Sequence, residues 1–142
     1  MTTLPQGLDE FVGLWRIERR IDDRMLGLSG IFAGTAEFTS DAQGLICLED
    51  GTLSYGSADP LPATRRYLWR MAGGRVEIRF EDERPLVGFA LNTPHPHDRH
   101  FCEPDSYDAA FDFARWPEWS STWKVRGPRK DYRMVSSYFR VI

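Results

Sequence analysis

A chain of 142 residues, 42% hydrophobic and 27% charged, can bury a substantial core in a single domain and is too apolar to be disordered. Its net charge of −3 offers no basic footprint for nucleic acid, so no nucleic-acid partner is expected. No run approaches the roughly 18 apolar residues of a membrane span, and the first ten residues show no secretory leader, which makes the cytoplasm the expected compartment. Residues 4–12 read as a short helix or turn, with Leu8, Phe11 and Val12 at helical spacing and Asp9 and Glu10 in its first turn. Residues 13–21 then alternate. Trp15, Ile17, Arg19 and Ile21 share one face of a strand, while Leu14, Arg16, Glu18 and Arg20 share the other. The first face is the apolar one, yet it carries Arg19. A cation there needs a partner, a wet lumen or a ligand.

A loop over residues 22–29 leads to a second alternating run in which Phe32, Gly34, Ala36 and Phe38 share a face. Gly34 suits a tight bend of the kind found at barrel corners. Residues 45–49 read as strand, Asp50-Gly51 as a hairpin turn, and residues 52–55 as its continuation. Residues 57–64, with Pro60 and Pro62, read as irregular. Residues 65–71 alternate, with Tyr67, Trp69 and Met71 opposing Arg66, Leu68 and Arg70. Gly73-Gly74 turns the chain into residues 75–80, where Val76, Ile78 and Phe80 point one way. Residues 85–91 form a sixth strand, and residues 92–98, with two prolines, the least regular stretch. Residues 109–116 fit a helical turn or a strand equally. Trp119, Ser121, Trp123 and Val125 share a face, Gly127-Pro128 breaks the run, and the last strand over residues 131–142 aligns Tyr132, Met134, Ser136, Tyr138 and Arg140. About nine strands on short loops predict an all-β antiparallel meander. Closing it into one up-and-down barrel of about 8–10 strands removes the exposed edges and leaves room for one small ligand.

The chain resembles the calycin superfamily of lipocalin-like barrels through its short N-terminal helix, Gly13-Leu14-Trp15, and a basic residue on the last strand, Arg140. The resemblance implies that Arg140 packs across Trp15, giving Trp15 a structural role. The chain is also similar to an uncharacterised bacterial family of small calycin-like barrels, a domain of unknown function. The matching pieces are Trp15-Arg16-Ile17 with Arg19, Gly30-x-Phe32-x-Gly34-x-Ala36, Arg66-Tyr67-x-Trp69, His100-x-Cys102-x-x-Asp105-x-Tyr107, Trp123-x-Val125-x-Gly127-Pro128-x-Lys130-Asp131-Tyr132 and Ser137-Tyr138-x-Arg140. That family implies a fold and no activity, and the absent leader departs from secreted lipocalins.

Three sets of residues could carry chemistry. All three histidines lie close to Cys102, Asp105 and Asp108 within residues 95–108. These are ligand types for zinc or iron, and the same stretch also reads as a polar rim. The second set is lumenal. Arg19, Arg66 or Tyr67, Tyr132, Tyr138 and Arg140 would share an interior, with Arg19 either free for an anion or paired with Glu49, Glu103 or Asp105. The third, around Lys130 and Asp131, reads as a salt bridge in a turn. Cys47 and Cys102 lack Cys-x-x-Cys spacing, so neither a disulfide framework nor a cysteine-based zinc site is expected, and a single bridge between them stays open. No cofactor is expected, and no Ser-His-Asp order or phosphate-binding loop occurs. The expected function is binding of a small, partly apolar, anionic ligand. Tyr67, Trp69, Trp123, Tyr138 and Phe32 would form the wall, and Arg19 and Arg140, helped by His100 and Tyr132, the anchor. The alternative is an enzyme or a metal- or haem-binding barrel using residues 95–108. A homodimer is the expected assembly.

Overall fold

Ten antiparallel strands follow a single 3₁₀ turn, Leu8–Phe11, in a computed structural model that describes residues 3–141. They are β1 (Gly13–Asp23), β2 (Leu28–Asp41), β3 (Gly44–Tyr55), β4 (Leu61–Ala72), β5 (Arg75–Arg79), β6 (Pro85–Ala90), β7 (His97–Cys102), β8 (Asp105–Asp112), β9 (Trp119–Gly127) and β10 (Lys130–Arg140). One sheet holds them all in the order β6-β5-β4-β3-β2-β1-β10-β9-β8-β7. Every neighbour but β1–β10 is consecutive in the chain, and that pair joins the two ends of the sequence, Trp15 opposite Arg140. The sheet curls until its outer strands β6 and β7 meet. The barrel is nearly closed, because the seam carries no ladder among the described residues. Instead the Asp98 carboxylate accepts from the Gly88 N–H at 2.7 Å, and Phe89 packs on Phe111.

Alternation decides which side chains turn inward, since successive Cβ atoms point to opposite faces of a strand. Trp15, Ile17 and Arg19 are buried on β1 while Leu14, Arg16, Glu18 and Arg20 are exposed. The same rule buries Phe32, Ala36 and Phe38 on β2 and Leu45, Cys47 and Glu49 on β3. Residues 109–116, readable as helix or strand, divide: β8 runs to Asp112, and a turn follows.

Two predicted features are overturned. Residues 57–64 are irregular only as far as Pro60, because β4 begins at Leu61 and pairs with β3 despite Pro62. Asp50-Gly51 is no hairpin turn but the middle of β3, where Gly51 lies opposite Gly34. A Cβ on Gly34 would strike the Asp50 carbonyl and the Gly51 Cα, so two bare glycines let β2 and β3 bend across each other. Such a bend lets long strands curl into a narrow barrel.

The two ends of the barrel differ. At the end holding the 3₁₀ turn, Phe11, Trp15, Phe38, Trp69, Phe113 and Trp119 fill the interior with tilted and edge-on rings. Trp15 Nε1 donates to the Phe11 carbonyl at 2.9 Å. The Arg140 guanidinium lies 4.0 Å from the Trp15 ring centre and donates to the carbonyls of Val12 and Glu10. On one flank, towards the other end, the wall is incomplete. β4 pairs with β5 only from Leu68 to Ala72, so residues 61–67 have β3 on one side alone. Pro60, Pro62, Arg65 and Arg66 guard that edge against stray strand pairing. No helix of the described residues is long and apolar enough to cross a membrane.

Candidate functional site

The interior beyond the aromatic plug keeps a cavity of about 60 Å³. One wall is polar and carries Arg19, Cys47 and Glu49 from β1 and β3. The other is apolar, formed by Ile78, Leu86, Trp123, Val125 and Met134. Tyr67, Trp69, Tyr132 and Tyr138 complete it, and Arg65 stands at its edge.

The polar wall is built from strand register. Arg19 lies opposite Phe32, and Glu49 lies opposite Ala36 four residues further along β2. The diagonal between them crosses β2 at Gly34, which has no side chain to obstruct it. Arg19 therefore reaches Glu49 with both Nη atoms, at 2.9 and 2.8 Å, and donates its Nε to Ser136 Oγ at 2.7 Å. Its guanidinium also faces the Phe32 ring at 5.4 Å. Arg19 is 9% exposed and Glu49 4%. Burial weakens the charge on Arg19, but the surrounding oxygens, Glu49 first, outweigh it and hold its pKa above the ordinary value. The pair is a closed, neutral unit.

Burial, and after it Glu49, raises the Cys47 thiol well above its usual range. It remains a protonated thiol at neutral pH. Tyr138 is likewise raised, by burial first and then Glu49. It stacks on Trp119 with ring centres 3.7 Å apart.

Arg65 is arranged differently. It sits opposite Glu49 in the β3–β4 register, where an ion pair is the expected cross-strand contact. Both Glu49 oxygens are engaged by Arg19, and among the described residues Arg65 has no carboxylate partner. Its Nη1 donates to Tyr67 Oη at 3.2 Å. Arg65 and Tyr67 also line an outer cleft of about 640 Å³ with Arg66, Phe80 and Arg84, beside the unpaired length of β4. They are the two residues common to cavity and cleft and stand between them. Burial raises Tyr132, and the nearby cations Arg65 and Lys130 oppose that shift. Lys130 itself is held by Asp105 at 3.1 Å, and in the cleft Arg66 faces Glu81 and Arg84 holds Asp82.

Of the residues expected to bind ligand, Arg19, Tyr67, Trp69, Trp123, Tyr132 and Tyr138 come together at the cavity. His100 is half-buried on β7 and does not line it, and Arg140 lies at the plugged end over Trp15. Phe32 is buried against Arg19. Arg65 is missing from the sequence expectation, although it shares its strand face with Tyr67 and Trp69.

Residues 95–108 do not converge. His97 pairs with Asp108 at 2.9 Å, Arg99 reaches the same carboxylate at 3.0 Å, and His95 lies near Asp112. These contacts form an exposed polar band on β7 and β8, while Asp98, His100 and Cys102 turn to the opposite face. Among the described residues no three His, Cys, Asp or Glu side chains gather as a metal site. Cys47 and Cys102 are both free thiols.

Comparison with known proteins gives the same architecture. The S-type phycobiliprotein lyase CPES from Guillardia theta superposes with a TM-score of 0.62 at 10% identity, over 96% of this chain and 93% of that one. A protein of unknown function from the DUF3598 family of Nostoc punctiforme superposes with a TM-score of 0.61 at 14% identity. This chain is covered over 99% of its length in that match and spans about half, 51%, of the Nostoc chain. At such identities the likeness shows a shared fold alone. No curated protein matches the sequence. A family of unknown function does match, over residues 11–140, nearly the whole chain: the protein belongs to the DUF6314 family.

Proposed function

We propose that the protein binds a small, partly apolar ligand in the barrel, its apolar part in the cavity and its polar end at the passage beside Arg65. The observation that carries this reading is that Arg65 and Tyr67 line both the cavity and the cleft, so a ligand entering the cavity from the cleft would pass between these two side chains. Trp69, Trp123, Ile78, Leu86 and Met134 offer the apolar contacts such a ligand needs. The similarity of fold to a phycobiliprotein lyase is consistent with small-molecule binding by this barrel and specifies no ligand.

The reading is tested by thermal denaturation with a series of four- to eight-carbon alcohols and with phenol. A probe that binds the native state, present at about a hundred times its Kd, stabilises by about 2.7 kcal/mol. Met134→Trp fills the cavity from β10 and abolishes the stabilisation. If no probe raises the melting temperature, or if Met134→Trp responds as the parent does, the cavity is not a binding site.

A further inference from the structure

We infer that the ligand is a monoanionic amphiphile, with a carboxylate head anchored by Arg65 and Tyr67 and an apolar body in the cavity. This inference rests on the binding site proposed above and adds the chemical class of what enters it.

Four observations carry it. First, Arg19, the cation placed deepest, is closed to a ligand, because Glu49 takes both its Nη atoms and Ser136 its Nε. An anion pressed against this pair would face the Glu49 carboxylate as much as the guanidinium. Second, Arg65 is directly opposite Glu49 yet excluded from it, so the barrel holds two inward-facing cations and one carboxylate between them. The uncompensated charge is thereby moved to the passage. Third, the other two arginines of the cleft, and Lys130 beside Tyr132, each face a carboxylate. Arg66 faces Glu81, Arg84 holds Asp82, and Lys130 holds Asp105. Of the three arginines lining the cleft, Arg65 is the one without a carboxylate partner among the described residues.

Fourth, the donors suit a planar head group. Arg65 offers a rigid fork, of which one Nη contacts Tyr67 Oη at 3.2 Å. The Tyr67 hydroxyl accepts that bond and keeps its own proton to donate to a second acceptor. A carboxylate can take one N–H from the fork and the phenol O–H together. A phosphate dianion would require a second unpaired cation at this point, and none stands there among the described residues.

Three probes with the same chain and different heads test the inference: octanoate, 1-octanol and octylammonium, titrated calorimetrically into the full-length protein. The expected order of affinity is octanoate, then 1-octanol, then octylammonium. Arg65→Gln weakens octanoate about tenfold, as expected for loss of a hydrogen bond to a charged group, and leaves 1-octanol within about twofold. Arg20→Gln, an exposed cation on the outer face of β1, leaves the order unchanged. Raising the salt concentration narrows the gap between octanoate and 1-octanol in the parent and not in Arg65→Gln. Arg65 is exposed, so its variant keeps the parent melting temperature in the absence of probe. If 1-octanol binds but octanoate is not preferred, or if the preference survives Arg65→Gln, the carboxylate anchor is wrong while the cavity reading stands. If none of the three probes binds, the cavity reading fails and this inference falls with it.

Discussion

Glu49 stands between two arginines and serves only one. Its bond to Arg19 is almost wholly buried, so solvent and salt screen it little. Removing one partner strands the other's charge in the barrel. Glu49→Leu alone costs about 3–5 kcal/mol in urea denaturation, whereas the double variant Arg19→Met with Glu49→Leu costs less than Glu49→Leu by itself. A double variant at least as unstable as the single one would show that the pair contributes more than mutual neutralisation. The inward position of Arg19 was legible, since a period of two places it with Trp15 and Ile17. Glu49, Glu103 and Asp105 were all eligible partners. Choosing among them requires the register of β1, β2 and β3 together, which local pattern does not contain. Arg65 was passed over because Tyr67 and Trp69 dominate its strand face. Its importance comes from a partner it lacks, and a missing contact leaves no mark in the sequence. Arg140, by contrast, packs on Trp15 as the lipocalin resemblance implies.

At the scale of strands, alternation carried most of the fold. Most strands place apolar residues at every second position, β1, β2, β3 and β9 most plainly, whereas β4 buries Leu68, Trp69 and Arg70 in a row and β7 is mostly polar. Asp50-Gly51 was the instructive exception. Asp-Gly between two strand-like runs is a strong turn signal, because glycine tolerates the positive φ a tight hairpin requires. Here the glycine is used for its missing side chain instead. Its reason lies seventeen residues upstream at Gly34, directly across the ladder. Gly51→Ala places a Cβ against the Ala33 carbonyl and the Gly34 Cα, so the backbones must separate. The expected loss is about 1–3 kcal/mol, the usual cost of overpacking, seen as a lower melting temperature. An unchanged melting temperature would mean that the bend does not depend on this contact.

The whole molecule is a barrel plugged at one end by aromatic rings and open on one flank, and its ionisable tyrosines follow from that shape. Tyr138 lies inside the plug, Tyr132 at the cavity, and Tyr55 near the rim, where its hydroxyl donates to Asp23 at 3.1 Å. Burial raises all three, with Tyr55 pushed up to about 12, its bond to Asp23 adding to the effect. An unfolded tyrosine ionises near pH 10, about where solvent alone would set it. Above that pH the unfolded chain releases protons that the native barrel retains, so stability falls as pH rises. The contribution is complete below about pH 10 and is lost progressively towards the higher native values. Denaturant midpoints should therefore begin to slip from about pH 8.5, where the unfolded Cys47 thiol ionises and the buried one does not, and drop further beyond about pH 10, with tyrosinate absorbance rising together with unfolding. Tyr138→Phe keeps the stacked ring on Trp119 and removes the proton, so it should flatten the alkaline limb while leaving neutral stability within about 1 kcal/mol. A limb as steep as the parent's would place the alkaline sensitivity on other groups. Tyr138 would then be only a packing ring, with no part in setting the upper pH limit of the fold.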